Sequence, residues 1–336
     1  MKSIAAYIRF TKFVLLFVFL VICAGSIVRV TQSGMGCPDW PECFGYLIPP
    51  TQYQQVLFRP GHAYREGQFI IHNDSLKYSI RAFTSGPVYN PADWQQYQKH
   101  NYAKFEVYQT WIEYCNRLLT GILGMLIIFH VIWSGWLFYR SKNEIFWLSF
   151  CLIVLVGFEA WLGKLVVDTR LSVFQISSHM LLALALAAIP VIILNKLSGE
   201  EKVKSRLLKG MTNLALVLLM TQVIFGTEVR GQIDVIAQSL NYTDRELWIA
   251  LLNNFFALHK FFSVGVALVC IWLCWRSLSF AQLRKTGVGI LFAVLGVMAF
   301  GLTMAYLAIP VFIQPLHVLF SAILVIQLFY FRLKLK

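Results

Sequence analysis

From Thr286 to Phe331 the chain carries no Asp, Glu, Lys or Arg, and two prolines, Pro310 and Pro315, stand inside that run. A helix needs about 20 apolar residues to cross the hydrocarbon core of a bilayer. The run is long enough for two such helices, and proline, which removes a backbone donor, marks the turn between them. Together with 287–308 and 313–331, the apolar stretches 13–30, 113–139, 146–167, 173–195, 210–228 and 251–275 predict eight membrane spans. A hydrophobic content of 58% and a mean hydropathy of +0.65 exclude an ordinary soluble domain.

Charge predicts the orientation. Segments 1–12, 140–145, 196–209, 276–285 and 332–336 hold sixteen Lys and Arg against Glu144, Glu200 and Glu201; 16 minus 3 equals the whole net charge of +13. An even number of spans puts both termini on one side, and the basic side is expected to be cytoplasmic. The basic balance therefore reflects topology, and no nucleic-acid partner is expected. Only twelve residues precede the first span, which leaves no room for a transit peptide. The expected location is a prokaryotic plasma (inner) membrane, with the lipid bilayer as the first partner.

Residues 31–112 form the one large polar segment, placed on the outer face. Its length and polarity predict a cap over the helix ends without a core of its own. His62, His72 and His100 lie there and read as surface histidines.

Spans one to four and five to eight resemble each other. His179 enters the fourth helix and His317 the eighth, an offset of 138; Asn116 in the second lines up with His259 in the sixth, an offset of 143. Near-equal offsets predict an internal duplication. The predicted fold is an all-α membrane protein of eight helices in two pseudo-symmetric four-helix bundles, residues 1–195 and 196–336.

Imidazoles in lipid are costly and usually mark a site. On facing helices, His259 and His317 have the chemistry of the two axial ligands of a haem b iron; the other reading of each is a hydrogen-bonded packing histidine. The first half departs from this pattern. Asn116, a poor iron ligand, replaces a histidine, and Glu113 lies three residues earlier on the same helix face. With His179 as the one iron ligand and a carboxylate nearby, the first half reads as the reactive site and the second as a stable cofactor site. Glu113 can equally face water or pair with Arg117. Arg29, Arg117, Arg230 and Lys260 lie near the outer interface, placed for haem propionates, although long cationic side chains there also snorkel. Glu159 and Lys164 lie deeper and are expected to pair with each other.

Five of the seven cysteines, Cys23, Cys115, Cys151, Cys270 and Cys274, lie in or beside spans and read as small packing residues. Cys37 and Cys43 flank Pro-Asp-Trp-Pro-Glu in the outer segment, where a disulfide is favoured over a metal site.

The stretch Arg29-Val-Thr-Gln-Ser-Gly-Met-Gly-Cys-Pro-Asp-Trp-Pro-Glu-Cys-Phe-Gly45 resembles the first-loop signature of haem A synthases. Glu113-Tyr-Cys-Asn-Arg117, Leu162–Thr169 with His179, Gln222–Arg230, His259-Lys260 and His317 are similar to further motifs of that family in order along the chain. The insertion at roughly 46–105 matches nothing in it. The resemblance implies oxidation of the C8 methyl group of haem O to the formyl group of haem A, for haem-copper oxidase assembly. It implies haem b held by His259 and His317, and substrate haem O near His179 and Glu113, with Asn116 standing where the family has a histidine. It also implies a haem O synthase (protohaem farnesyltransferase) as partner. The electron donor is unnamed and a homo-oligomer is left open. The competing readings are a dihaem quinol-oxidising electron-transfer protein and a non-catalytic haem carrier for oxidase assembly.

Overall fold

Among the described residues, eight helices are long and apolar enough to cross a membrane, as the hydropathy pattern predicts. They are α1 (Lys2–Val30), α2 (Val107–Phe138), α3 (Asn143–Asp168), α4 (Val173–Ser198), α5 (Arg206–Ser239), α7 (Asn254–Ser277), α8 (Ala281–Tyr306) and α9 (Ile313–Leu333); α6 (Arg245–Ala250) is a short connector. The computed structural model describes residues 2–98, 105–168 and 173–336. Helices suit this role because each satisfies its backbone groups internally, where lipid offers no partner. The long uncharged run breaks between Tyr306 and Ile313, and Pro315 falls in the first turn of α9, where its missing N–H costs nothing. α5 outruns its expected span of 210–228 at both ends, since its flanking polar turns stay helical.

Two compact units emerge, residues 1–26 with 121–336, and residues 27–120. In the first, α5 packs on α7, α7 on α8, α8 on α9 and α9 back on α5, which closes a ring of four helices. α3 packs on α4, and α4 also meets α5 and α9. Large apolar side chains such as Phe13, Trp136, Phe261 and Phe292 remain exposed on helix surfaces, as lipid-facing residues of a membrane protein do. A buried polar link joins α1, α2 and α3. Tyr7 Oη lies 3.0 Å from Ser149 Oγ, and Thr11 Oγ1 lies 3.1 Å from His130 Nε2.

The second unit corrects the expectation of a coreless cap. Strands β2 (Phe69–His72), β3 (Ser75–Ser79) and β5 (Trp94–Gln96) form an antiparallel sheet in the order β2-β3-β5, and β1 (Ala63–Tyr64) pairs with β4 (Phe83–Thr84). Alternate residues of a strand point to opposite faces, and β2 is buried on both. Phe69 and Ile71 join a cluster with Cys37, Cys43, Phe44, Val56, Leu76 and Phe105, while Ile70 joins Tyr64 and Trp94. Aromatic residues in a polar segment thus supply two small cores that a segment-wide polarity average conceals.

Candidate functional site

His179, His259 and His317 each sit within the first two turns of their helices, α4, α7 and α9. Each imidazole edge lies against a glycine of a neighbouring helix. A Cβ added to Gly163 would stand 3.5 Å from His179 Cε1, one on Gly226 3.2 Å from His259 Cε1, and one on Gly301 3.3 Å from His317 Cε1. Glycine leaves the room that the rings occupy.

The Nδ1 atoms are also engaged. His317 Nδ1–H donates to the carbonyl oxygen of Val297 at 3.1 Å. That bond fixes the tautomer that leaves Nε2 with a lone pair for a metal. His259 Nδ1 lies 3.0 Å from the side-chain amide of Gln222, whose Nε2 also reaches the His259 carbonyl at 3.0 Å. Gln222 Oε1 is buried without a hydrogen-bond partner. The Gln222 amide N–H donates to His259 Nδ1 and to the His259 carbonyl, and holds the ring from that side. His259 and His317 stand on two helices of the same four-helix ring, α7 and α9. Two imidazoles on one four-helix ring, one of them with Nδ1–H given to a carbonyl and Nε2 left free, have the chemistry of haem iron ligands. No group of three or more His, Cys, Asp or Glu able to hold a bare metal ion occurs among the described residues.

His179 Nδ1 lies 3.2 Å from Glu159 Oε1. This corrects the expected Glu159–Lys164 pair. Positions 159 and 164 are five apart on one helix, whereas α4, packed against α3, brings an imidazole to the carboxylate.

A separate cluster lies in the unit of residues 27–120. Cys37 and Cys43 form the disulfide, with Cα atoms 4.9 Å apart. Glu113 is buried at 4% exposure, takes the Cys37 N–H on Oε2 at 2.8 Å, and binds Arg117 through Oε1. Of the two readings of Glu113, pairing with Arg117 is the one observed. Arg117 Nη1 also donates to the carbonyl oxygens of Asp39 at 2.6 Å and Glu42 at 3.1 Å. Asp39 accepts from the backbone N–H groups of Phe44 at 2.6 Å and Gly45 at 2.7 Å. Burial pushes the Asp39 carboxyl above its ordinary pKa, opposed by those N–H groups and by the Arg117 charge. The Cys-Pro-Asp-Trp-Pro-Glu-Cys turn is therefore fastened to α2 by the Cys37 N–H on Glu113 and by the bonds from Arg117 to the Asp39 and Glu42 carbonyls, while the Glu113–Arg117 pair itself lies within α2.

The other expected residues are placed as follows. Asn116 Oδ1 is buried without a hydrogen-bond partner. Arg230 pairs with Asp234 at 2.8 Å. Lys260 lies over the rings of Phe261 and Phe256, 5.3 and 5.9 Å from their centroids. Arg29 occupies the last turn of α1. His62 accepts a hydrogen bond from Arg59 at 2.8 Å and His72 stacks on Tyr89 at 3.9 Å, structural roles for both; His100 lies outside the described residues.

Sequence reasoning passed over His130, which is fully buried in α2. The signal was a histidine eight residues before the end of an apolar helix. Gln222 was seen only as part of a motif, and its distance of 37 positions from His259 gave no hint of their contact.

A family model described as COX15-CtaA, cytochrome oxidase assembly protein, matches residues 8–73 and 84–329. The match takes in most of the 46–105 stretch that had seemed foreign, and leaves only 74–83 outside. The chain is 25% identical over 219 residues to the heme A synthase of Shewanella oneidensis, 64% of this chain and 54% of that protein. It is 22% identical over 305 residues to that of Orientia tsutsugamushi, 77% and 76% of the two chains. With the heme A synthase of Sphingopyxis alaskensis it shares 23% identity over 346 residues, 95% and 89% of the two chains. The Shewanella match spans little more than half of that relative's length, and the Pelagibacter ubique match 62% of its relative.

Proposed function

Because the chain belongs to the COX15-CtaA family of cytochrome oxidase assembly proteins, we propose that it is a haem A synthase, an oxidoreductase that converts the C8 methyl group of haem O to a formyl group for haem-copper oxidases. Two hydroxylations of the methyl carbon, each a two-electron oxidation that requires an external oxidant and an oxygen source, would give a geminal diol, and loss of water would give the aldehyde. The printed names of the matching relatives support this reading. The single observation that carries it is the pair His259 and His317, near the starts of two helices of one four-helix ring, with His317 Nδ1–H given to the Val297 carbonyl and its Nε2 left free.

In this reading residues 1–195 hold the substrate and 196–336 hold haem b. Haem b, when bound, supplies one-electron transfer. Val297 sets the tautomer of His317, whose free Nε2 would bind the iron of haem b, and Gln222 orients the His259 ring that would be its partner ligand. His179 orients haem O through its iron. Glu113, fixed between Arg117 and the Cys37 N–H, keeps a negative charge at a defined point and serves proton balance or a cationic stage of the reaction. Arg29, Arg230 and Lys260 meet propionates; Arg117 does so less readily, since its guanidinium already serves Glu113, Asp39 and Glu42. Asn116 would stand near the substrate haem as a neutral amide in place of a histidine. The sixteen-to-three charge excess supports cytoplasmic termini in a prokaryotic inner membrane, and haem O synthase is the partner suited to pass on so hydrophobic a substrate.

The test is co-expression with a haem O synthase, followed by chromatography and mass spectrometry of the extracted haems. Haem A or its hydroxylated precursor is expected. Haem b with unconverted haem O alone, beside a control synthase that works in the same cells, overturns the enzyme reading in favour of a carrier.

A further inference from the structure

Corresponding positions in the two halves hold their histidines by different acceptors. The offset of 138 that carries His179 to His317 also carries Gly163 to Gly301 and Glu159 to Val297. All three positions are used alike in space. Each ring turns Cε1 towards its glycine, at 3.5 Å for an added Cβ on Gly163 and 3.3 Å on Gly301. Each ring brings Nδ1 to the residue twenty positions earlier: to the Val297 carbonyl as a hydrogen bond of 3.1 Å, and to Glu159 Oε1 at an ion-pair distance of 3.2 Å, where Nδ1 makes no hydrogen bond among the described residues. The chemistry at that residue differs. In the second half Nδ1 meets a neutral backbone carbonyl. In the first half it meets a carboxylate.

That carboxylate is expensive where it stands. Glu159 lies within α3, a membrane-crossing helix, with its side chain 12% exposed. Its second oxygen, Oε2, is buried with no hydrogen-bond partner among the described residues. Lone acids at such depth are costly and tend to serve a site. A carboxylate behind a metal-bound imidazole fixes the ring and strengthens its donation to the metal. A stronger axial donor favours the more oxidised iron.

We propose that Glu159 is a positioning residue for His179, holding Nδ1–H so that Nε2 faces the iron and making His179 a stronger electron donor than His317. The inference rests on the reading that His179 binds a haem iron. It gives the two halves different redox characters. An iron held by His179 would be more stabilised in the ferric state with the Glu159 carboxylate behind the ring than without it. Electrons supplied through the second half then have to be pushed onto the first-half iron, and that iron gives them up readily to an oxidant.

The experiment uses the full chain, loaded by co-expression with a haem O synthase, and reads haem content and midpoint potentials in redox titration. His179→Ala identifies the first-half haem as the one it removes. If His179→Ala removes no haem, the underlying reading has failed, and the present inference with it. With that haem assigned, Glu159→Gln is expected to keep both haems and leave the second-half potential unchanged. The first-half potential should move upward, by about 59 mV for each tenfold loss of ferric preference. An unchanged first-half potential with both haems retained overturns the role of Glu159. Should Glu159→Gln lose the first-half haem alone, Glu159→Asp is the arbiter, since it restores a carboxylate on a shorter stem. Recovery of the haem with a low potential supports the proposal, and no recovery overturns it.

Discussion

The backbone N–H of Cys37 donates to Oε2 of Glu113 at 2.8 Å, which ties the disulfide turn to the residue singled out as the candidate acid. Glu113 therefore has a structural task beside any chemical one, and substitutions must separate the two. Glu113→Ala removes the acceptor for Cys37 and the counter-charge for Arg117. A hydrogen bond to a charged group contributes about 1.5–3 kcal/mol, so Glu113→Ala should destabilise the unit of residues 27–120 by roughly 2–3 kcal/mol. Glu113→Gln keeps an acceptor for the Cys37 N–H and should cost about half as much. If only structure matters, Glu113→Gln retains most haem A formation; if the charge matters chemically, it loses activity while thermal unfolding in detergent changes little.

The disulfide itself closes a short loop, six positions in sequence. Loop-closure entropy for so few residues is worth about 2 kcal/mol. Cys37→Ser with Cys43→Ser should lower the midpoint of unfolding of this unit and expose residues 37–45 to protease. The four-helix ring of α5, α7, α8 and α9 should keep its haem b spectrum. Equal protease resistance of oxidised and reduced protein would count against this account.

Much of this molecule is legible in the chain because a bilayer leaves few choices. Helices must satisfy their own backbone groups, so the apolar runs announced all eight spans and Pro310 and Pro315 announced the break before α9. The Cys37–Cys43 pair was readable because its partners are close in sequence. What escaped is tertiary and specific. His179 meets Glu159 rather than Lys164 finding it, because helix packing brings together residues twenty positions apart. The two small cores around Phe69, Ile70 and Ile71 escaped because strand alternation over four residues vanishes in an average over eighty-two. His130 escaped because nothing in its neighbours betrays Tyr7 and Thr11, more than a hundred positions away.

His130 should prove a structural clamp. Thr11 Oγ1 donates to the Tyr7 carbonyl oxygen at 2.9 Å, so towards His130 Nε2 it must accept, and Nε2 carries the proton. Ser149 Oγ donates to Ile145 at 2.8 Å, so it accepts from Tyr7 Oη. His130→Phe fills the space and leaves Thr11 without its donor, at a cost of about 1–3 kcal/mol. Unfolding in detergent should show that loss, while His259 and His317 keep their haem and its spectrum. Loss of haem b in His130→Phe would assign this network a role at the cofactor.

Acid should loosen one part of residues 27–120 and spare another. Burial, and then the Arg59 charge, lower the pKa of His62 below its ordinary value, and neutral Nε2 accepts from Arg59 at 2.8 Å. The folded pKa is depressed, so this contribution is present above the ordinary imidazole value of about 6.5 and is lost as pH falls through the folded value. Asp39 has the opposite sign. Its folded pKa is raised, so its contribution is fullest in acid and declines as pH rises through that raised value. Amide protection, taken as exchange relative to the intrinsic rate at each pH, should fall around Arg59–Tyr64 and its partner Phe83–Ser85 as pH drops from 7.5 to 5. Exchange at Phe44 and Gly45 should not follow it. His62→Gln, which keeps an acceptor for Arg59 but does not titrate, should abolish the acid response, and a response that persists in that variant would trace it to another group.

The glycines against the histidines should matter more than their size suggests. A Cβ at Gly301 stands 3.3 Å from His317 Cε1 and one at Gly226 3.2 Å from His259 Cε1, closer than ordinary van der Waals contact. Gly301→Ala asks the ring to give by a few tenths of an ångström. Gly301→Val adds two methyl groups where the imidazole lies and should swing Nε2 away from the iron. Overpacking of this kind costs about 1–3 kcal/mol, too little to unfold eight helices but enough to break an axial bond that depends on ring position. Gly301→Val should therefore insert normally and lose the low-spin two-histidine haem spectrum. Gly163→Val should leave that spectrum intact and deplete only the haem that depends on His179. Retention of a normal spectrum in Gly301→Val would mean that His317 binds by another edge or does not bind iron.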